Sequence, residues 1–113
     1  MHELGIAQEV LRIVETNAAE HGEGRVTLLR LSVGEMSGVE PEALRFALEV
    51  CARDTRAAGM RVEIKTVPTI AQCRDCRAEW DFQAGRIECP TCGKTHIALQ
   101  GGEDLRVDSF EME

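Results

Sequence analysis

The feature that most constrains this chain is a set of four cysteines arranged as two Cys-x-x-Cys pairs. The pairs are Cys73 with Cys76 and Cys89 with Cys92, separated by a spacer of twelve residues. Each turn lets two thiolates bind one metal ion, and two such turns complete a tetrahedral shell of four sulfurs, which suits Zn²⁺ at about 2.3 Å per bond. The spacing therefore predicts a structural zinc site with no position open for catalysis.

The spacer between the two pairs predicts a short β-hairpin. Trp80 and Phe82 alternate with charged residues, as expected of its first strand. The dipeptide Ala84-Gly85 would make the turn, and Ile87 would begin the return strand. We therefore expect the zinc site to be supported by a hairpin that lies between the two cysteine pairs.

Two other interpretations of the cysteines are a pair of disulfides and a thioredoxin-like redox motif. Disulfides require an oxidising compartment, and the first residues carry no basic segment of the kind that begins a signal peptide. A redox motif requires a cysteine pair that opens a helix after a strand, whereas Cys89 is followed by Pro90 and soon by Gly93. Structural zinc is the interpretation that the pattern favours.

Charge and hydropathy narrow the class of partner. The chain has 113 residues and a formal net charge of -7, which disfavours binding to a phosphate backbone. The zinc segment balances four basic residues against four acidic ones, so it lacks the basic face of a nucleic-acid reader. No apolar run reaches the length of a membrane span. We expect a cytoplasmic protein that binds neither nucleic acid nor membrane.

Periodicity divides the rest of the chain into helices and strands. An apolar stripe at helical spacing predicts a helix over residues 4–21, and a second helix begins where Pro41 follows Glu40 and continues to Cys51. Alternating apolar residues predict strands over 25–36, 60–65 and 105–112. In the last of these the alternation slips by one residue, which predicts a β-bulge near Asp108 and Ser109.

These elements predict an α/β (α+β) fold with two helices on one face of a three-stranded sheet. The four-cysteine zinc-ribbon module is inserted between the second and third strands. The main domain is therefore discontinuous, with residues 1–70 and 98–113, and the zinc-binding domain covers residues 71–97. The stripe of the second helix places Cys51 in the core, where it behaves as a small apolar residue.

The amino terminus offers a second candidate metal site. Removal of an initiator methionine generally requires a small second residue, so His2 predicts that Met1 is retained. The Met1 amine, the His2 backbone nitrogen and the His2 imidazole can then form fused chelate rings that suit Ni(II) or Cu(II), and the Glu3 carboxylate is a further oxygen donor. The alternative is a surface histidine at a frayed terminus. Metal must displace protons from the amine and the imidazole, so affinity should fall as pH falls.

The chain resembles the HypA/HybF family over essentially its whole length. The resemblance rests on Met1 to Ile6, Val33 to Pro41, Leu44 to Ala47, Gly59 to Ile64, Cys89 to Gly93 and Asp104 to Val107. It implies a nickel-delivery protein of [NiFe]-hydrogenase maturation with an α/β nickel-binding domain and a four-cysteine zinc domain. It also implies a nickel site built from His2, the Met1 amine and Glu3. The implied partners are a HypB-type GTPase, the [NiFe]-hydrogenase large-subunit precursor and, as for some members, urease maturation proteins.

Two positions depart from the pattern of some family members, which carry histidine directly after each cysteine pair. Those positions are Arg77 and Gly93 here, so we expect a steady site of four cysteines. His96 lies just beyond the second pair and we expect it to face solvent, while the alternative is that it reaches zinc or nickel. His21 falls in the last helical turn, where an imidazolium interacts well with the helix dipole.

The leading hypothesis is a nickel metallochaperone that is not an enzyme. The sequence contains no His-Glu-x-x-His motif, no phosphate-binding loop and no pair of carboxylates at a useful spacing. The alternative is a zinc-ribbon interaction module that does not deliver nickel. Acidic residues at 35, 40 and 42 lie on the segment between the first strand and the second helix, and we expect them to face a partner.

Overall fold

The computed structural model describes residues 3–113. In chain order the elements are α1 (Glu3–Ala19), β1 (Val26–Gly34), α2 (Pro41–Cys51), β2 (Arg61–Val67), β3 (Ile70–Cys73), β4 (Glu79–Asp81), a short 3-10 helix (Phe82–Ala84), β5 (Ile97–Gln100) and β6 (Leu105–Met112). The strands form two sheets of three, ordered β2-β1-β6 and β4-β3-β5. Among the described residues, no helix is long and apolar enough to cross a membrane.

The first sheet and the two helices form the main core. β1 is the central strand, parallel to β2 and antiparallel to β6. Its apolar residues Leu29, Leu31 and Val33 are almost fully buried and pack with the apolar stripes of both helices. The intervening Arg30 lies on the other face, where it pairs with glutamates of β2 and β6. The predicted three-stranded sheet with two helices on one face is confirmed.

The predicted bulge in the last strand is also confirmed. Arg30 pairs with Ser109 and Leu31 pairs with Val107, so Asp108 is an extra residue in β6. Its carboxylate accepts a hydrogen bond from the Ser32 hydroxyl at 2.5 Å. Because one residue is inserted, the apolar side chains on both sides of the bulge turn toward the same core.

The start of α2 agrees with the sequence prediction, whereas the end of α1 differs from it. α2 begins as predicted: the Glu40 side chain accepts a hydrogen bond from the Ala43 N–H at 2.6 Å, and Pro41 occupies the first turn. α1 ends at Ala19, two residues earlier than predicted, and residues 20 and 21 form a turn. The His21 ring Nδ1 lies 3.0 Å from the Asn17 carbonyl oxygen, which also accepts a hydrogen bond from the Glu20 N–H at 3.3 Å at this helix end.

The predicted hairpin within the spacer is wrong. β4 stops at Asp81, Phe82 starts the 3-10 helix, and Ile87 is not in a strand. Instead β3, which ends at the first cysteine, Cys73, is the central strand and pairs antiparallel with both β4 and β5. β3 pairs with β5, which follows the second cysteine pair, over four residues, and with β4, which lies within the spacer, over three. The outer strands of the metal segment are therefore paired with each other.

The two sheets meet at a tight glycine junction. The Met36 N–H donates to the Gly102 carbonyl at 2.7 Å, and the Gly34 N–H donates to the Asp104 carbonyl at 2.8 Å. Thr69 is 1% exposed and its hydroxyl donates to the Gly101 carbonyl at 2.9 Å. A Cβ on Gly34 would overlap the Gly102 carbonyl, so the backbones approach too closely here for a side chain.

Candidate metal centre

The two cysteine pairs adopt the same turn. In the first, the Arg77 N–H donates to the Cys73 carbonyl at 2.9 Å, and in the second the Gly93 N–H donates to the Cys89 carbonyl at 2.9 Å. Arg77 and Gly93 both have a left-handed backbone, with φ of +71° and +78°. The residue after each pair therefore closes the turn through its backbone, which is a role that the sequence analysis did not assign.

A second backbone hydrogen bond is also equivalent in the two cysteine turns. The Cys73 N–H donates to the Ala78 carbonyl and the Cys89 N–H donates to the Lys94 carbonyl, both at 2.8 Å. The Arg74 N–H donates to the His96 carbonyl at 2.8 Å, which ties the first turn to the residue before β5. Matching backbone hydrogen bonds therefore define the conformation of both turns.

The sulfur atoms of the four cysteines lie close together. They all lie within 4.8 Å of one another. The Cys73–Cys92 sulfur distance is 3.6 Å and the Cys76–Cys89 distance is 3.5 Å. A zinc ion with four bonds of about 2.3 Å requires sulfur separations of about 3.8 Å, and these two distances are close to that value. The four-cysteine cluster fits a structural zinc site.

Backbone groups favour thiolate at one cysteine of each turn. Burial opposes ionisation of Cys89, but the N–H groups of Cys92 and Thr91, each 3.4 Å from its sulfur, outweigh burial and lower the pKa of Cys89 to about 6. The Cys76 N–H acts in the same way on Cys73, and the pKa of Cys73 is lowered. These donors are the groups that stabilise metal-bound thiolates.

The other two cysteines hold their protons more firmly. The Ala78 N–H favours the thiolate of Cys76, but the neighbouring Cys89 and burial outweigh it and raise the pKa of Cys76 to about 12. Cys92 has the Lys94 N–H as its largest influence, and burial together with Cys73 overrides it, so its pKa is raised. A metal ion that binds all four sulfurs must displace these protons.

His96 and Cys51 do not belong to the four-cysteine cluster. The His96 side chain is exposed, as expected, and its Nδ1 is 3.8 Å from the Asp75 carboxylate. Cys51 is half-buried and packs against the main core. In the part of the chain that the structure describes, the group close enough to hold a metal consists of cysteines 73, 76, 89 and 92.

The predicted nickel ligands Met1 and His2 lie outside the described residues. Glu3 is described: it is 7% exposed, and its Oε2 accepts a hydrogen bond from the Glu40 N–H at 3.1 Å. The beginning of α1 is thereby joined to the beginning of α2. Sequence reasoning missed this contact, because the two residues are 37 positions apart and each carries a signal for its own helix only.

The three acidic residues around the start of α2 differ in exposure and in the contacts they make. Glu40 and Glu42 are exposed, although the Glu40 carboxylate caps α2 and Glu42 pairs with Arg45 at 3.3 Å. Glu35 is half-buried, and its Oε1 is buried without a hydrogen-bond partner among the described residues. Glu35 is therefore less accessible to a partner than the other two.

The fold and this cluster define a class: a small α+β protein with a second sheet beside a four-cysteine cluster that fits zinc. The chain matches, over residues 1–112, the family described as "Hydrogenase/urease nickel incorporation, metallochaperone, hypA". It is 42% identical to hydrogenase maturation factor HypA of Geotalea uraniireducens and 38% identical to HybF of Morganella morganii, each over the full length of both chains. The chain belongs to the HypA/HybF family of nickel metallochaperones.

Solved structures agree with the fold. The solution structure of the Ni metallochaperone HypA from Helicobacter pylori matches with a TM-score of 0.66, covering 99% of this chain and 97% of that one at 19% identity. A second HypA solution structure matches with a TM-score of 0.62 over 100% of this chain. The predicted resemblance, the fold class and the link to nickel and hydrogenase maturation are confirmed. The family consists of maturation factors and is not known for an enzymatic activity.

Proposed function

We propose that this protein binds Ni(II) at its amino terminus and delivers it to the large-subunit precursor of a [NiFe]-hydrogenase. The observation that carries this proposal is the family match, which begins at residue 1 and covers nearly the whole chain. The Met1 amine, the His2 backbone nitrogen and the His2 imidazole supply nitrogen donors that suit Ni(II). The protein acts by binding and release and performs no catalysis.

The position of Glu3 supports a specific part in this site. Its buried carboxylate is bonded to the Glu40 N–H, so residue 3 is anchored where the two helices begin. Because His2 is bonded directly to Glu3, the proposed nitrogen ligands extend from an anchored residue. We propose that Glu3 either supplies an oxygen to nickel or holds the chelating residues in place.

A nickel titration of the zinc-loaded protein tests the amino-terminal site. We expect tight binding with the native terminus and its loss when Gly-Ser precedes Met1, because the amine becomes an amide. His2→Ala should also abolish tight binding while zinc content is unchanged, and His96→Ala is the matched control. If the extended protein binds as well as the native one, nickel lies elsewhere. If neither binds, an interaction module stabilised by zinc becomes the better description.

Two substitutions separate the roles of Glu3. Glu3→Gln keeps an oxygen acceptor for the Glu40 N–H but removes the charge, whereas Glu3→Ala removes both. If the carboxylate binds nickel, both variants should weaken binding. If Glu3 only positions the terminus, Glu3→Gln should bind nickel like the native protein and Glu3→Ala should not. Equal binding by all three would exclude both roles.

The cysteine cluster is proposed to hold zinc for structure. Cys73, Cys76, Cys89 and Cys92 would supply all four ligands, with the pairing and separations described above. This zinc would stabilise the domain proposed for residues 71–97 and leave nickel binding to the discontinuous domain of residues 1–70 and 98–113. Cys73→Ser or Cys92→Ser should lose zinc, measured by metal analysis of the purified protein, while Cys51→Ser should retain it.

The proposed partners are a HypB-type GTPase and the hydrogenase precursor, with urease maturation proteins as further candidates. The exposed carboxylates of Glu40 and Glu42 are proposed to contact the GTPase. Because Glu40 caps α2, its reversal to Lys also costs about 0.5–2 kcal/mol of stability. Glu42→Lys is therefore the cleaner test, with exposed Glu49→Lys as the control. Unchanged GTPase affinity for Glu42→Lys would exclude this surface.

A further inference from the structure

The four cysteines of the cluster differ in exposure to solvent. Cys73 and Cys89, the first cysteine of each turn, are 0% and 2% exposed. Cys76 and Cys92, the second cysteine of each turn, are exposed. Oxidation of a thiolate requires that the oxidant reach the sulfur. A small oxidant dissolved in water therefore meets one cysteine of each turn before the other.

Each exposed cysteine lies beside a buried cysteine of the other turn. The Cys76 and Cys89 sulfurs are 3.5 Å apart, and the Cys92 and Cys73 sulfurs are 3.6 Å apart. A disulfide bond is about 2.05 Å long, so each pair has to close by about 1.5 Å. The cluster thus contains two cross-turn pairs, each with one exposed and one buried cysteine, and each pair spans the two turns.

Backbone contacts hold the buried sulfurs in place. The Cys76 N–H donates to the Cys73 sulfur at 3.5 Å, and the Cys92 N–H donates to the Cys89 sulfur at 3.4 Å. Each buried sulfur is therefore held near the backbone of its own turn and next to the exposed sulfur of the other turn. A second thiolate beside an accessible one is the arrangement in which an oxidised cysteine is resolved to a disulfide.

We propose that this cluster is an oxidation site at which hydrogen peroxide exchanges zinc for two disulfides, Cys73–Cys92 and Cys76–Cys89. The proposal rests on the zinc site proposed above and involves none of the proposed nickel ligands. Both disulfides join the first turn to the second. The oxidised chain therefore keeps, through covalent bonds, the connection between the turns that zinc provides in the reduced chain.

The chemistry balances for each cross-turn pair. The exposed thiolate attacks one peroxide oxygen, the O–O bond breaks, and with one proton the products are a sulfenic acid and water. The buried thiolate then attacks the oxidised sulfur, the S–O bond breaks, and the leaving hydroxide takes a second proton to become water. Each pair thus gives two electrons to one peroxide. After both pairs have reacted the cluster has no thiolate left for zinc, so two peroxides release one Zn²⁺.

Peptide mapping of the full chain tests the pairing. Zinc-loaded Cys51→Ser protein, which lacks the cysteine outside the cluster, is treated with two equivalents of peroxide, and remaining thiols are alkylated. Trypsin then produces three cysteine peptides, which cover residues 66–74, 75–77 and 87–94. Cross-turn disulfides join all three peptides in one species, and its fragmentation assigns the partners. A bond between the first two peptides together with an internal bond in the third would show pairing within the turns and overturn the proposal.

Zinc release and trapping test the order of the steps. One zinc should be released for every two disulfides formed, and dimedone, which traps sulfenic acids, should label Cys76 or Cys92 but neither Cys73 nor Cys89. Dithiothreitol with added zinc should restore the reduced, zinc-loaded chain. Labelling of the buried cysteines, or disulfides formed with zinc still bound, would overturn the proposal. Metal analysis before oxidation is a separate test, because a chain without zinc would refute the zinc site itself.

Amide hydrogen exchange tests whether the disulfides replace zinc. The Arg74 N–H donates to the His96 carbonyl at 2.8 Å, which ties the first turn to the residue before β5. This amide should be protected in the zinc-loaded chain and in the oxidised, zinc-free chain, and should lose protection in the reduced chain treated with a chelator. The amides of β1 are the control and should be protected in all three. Loss of protection at Arg74 in the oxidised chain would overturn the proposal.

Discussion

Gly102→Ala probes the close approach between the two sheets. Gly102 is buried and has φ of +78°, and a Cβ there would overlap the Thr69 hydroxyl oxygen and lie 3.0 Å from Thr69 Cβ. Gly101 has nearly the same backbone, with φ of +76°, yet a Cβ there would meet only the Pro68 carbonyl oxygen at 3.7 Å. Gly101→Ala is therefore a matched control with the same backbone strain and without the overlap.

The expected magnitudes follow from these two terms. A left-handed backbone costs a non-glycine residue about 1–2 kcal/mol. The substitution also restricts the unfolded chain, which offsets about 0.4–1 kcal/mol equally in both variants. The overlap at Gly102 adds about 1–3 kcal/mol, as for other overpacked sites. Gly102→Ala should therefore have a lower free energy of unfolding than Gly101→Ala by about 1–3 kcal/mol.

Urea unfolding at a fixed excess of free zinc measures this difference, since zinc binding to the folded state would otherwise change the apparent stability. Thr69→Ala removes the overlapping oxygen, so in that background Gly102→Ala should cost less than in the native chain, as a double-mutant cycle would show. Equal unfolding free energies for the Gly101 and Gly102 variants, or no change of the cost in the Thr69→Ala background, would refute the steric argument.

Three further predictions concern the core and the zinc cluster. Leu48→Ala should lower the unfolding free energy by about 2–5 kcal/mol because Leu48 is fully buried, whereas Phe46→Ala, at a 64% exposed position of the same helix, should change it by less than about 0.5 kcal/mol. Chelation of zinc should change the fluorescence of Trp80, because its indole N–H donates to the Arg86 carbonyl in the metal segment at 3.0 Å. The helical circular-dichroism signal should largely persist. Loss of both signals together would contradict the expectation that the first sheet and its helices stay folded without zinc. At pH 7, zinc binding should release at least two protons per ion, because the pKa of Cys76 is raised to about 12 and that of Cys92 is also raised. Zinc affinity should fall as pH falls, because protons compete with zinc for the same sulfurs. Calorimetry in buffers of different ionisation enthalpy measures this number, and a value below two would contradict the assignment.

The main sheet could be predicted because its signals are local. Alternation along β1 identifies Leu29, Leu31 and Val33 as the buried face, and the slip of that alternation in β6 locates the bulge at Asp108. Each pattern reflects the two-residue period of a strand that is buried on one face. The cysteine pairs are likewise local signals, since each turn is closed within a few residues.

The hairpin prediction failed because strand pairing depends on partners far along the chain. Trp80 lies in β4 as its alternation indicates, but the strand beside it is β3, which ends at Cys73 and so lies outside the spacer. The pairing of β3 with β5 joins residues 24 to 30 positions apart, and no turn signal marks it. The sequence of the spacer therefore could not show that the central strand β3 pairs with β5, a strand beyond the second cysteine pair.

The amino-acid sequence by itself determined the two cysteine turns, the start of α2, the alternation of the strands and the bulge, because each depends on residues within a few positions of one another. The tertiary structure decided which strands pair, where Glu3 is anchored and which glycines must lack a side chain. The contact between Glu3 and the Glu40 N–H, and the junction of Gly34, Gly102 and Thr69, join distant segments. Their positions follow from how the two sheets and two helices pack, which no local pattern encodes.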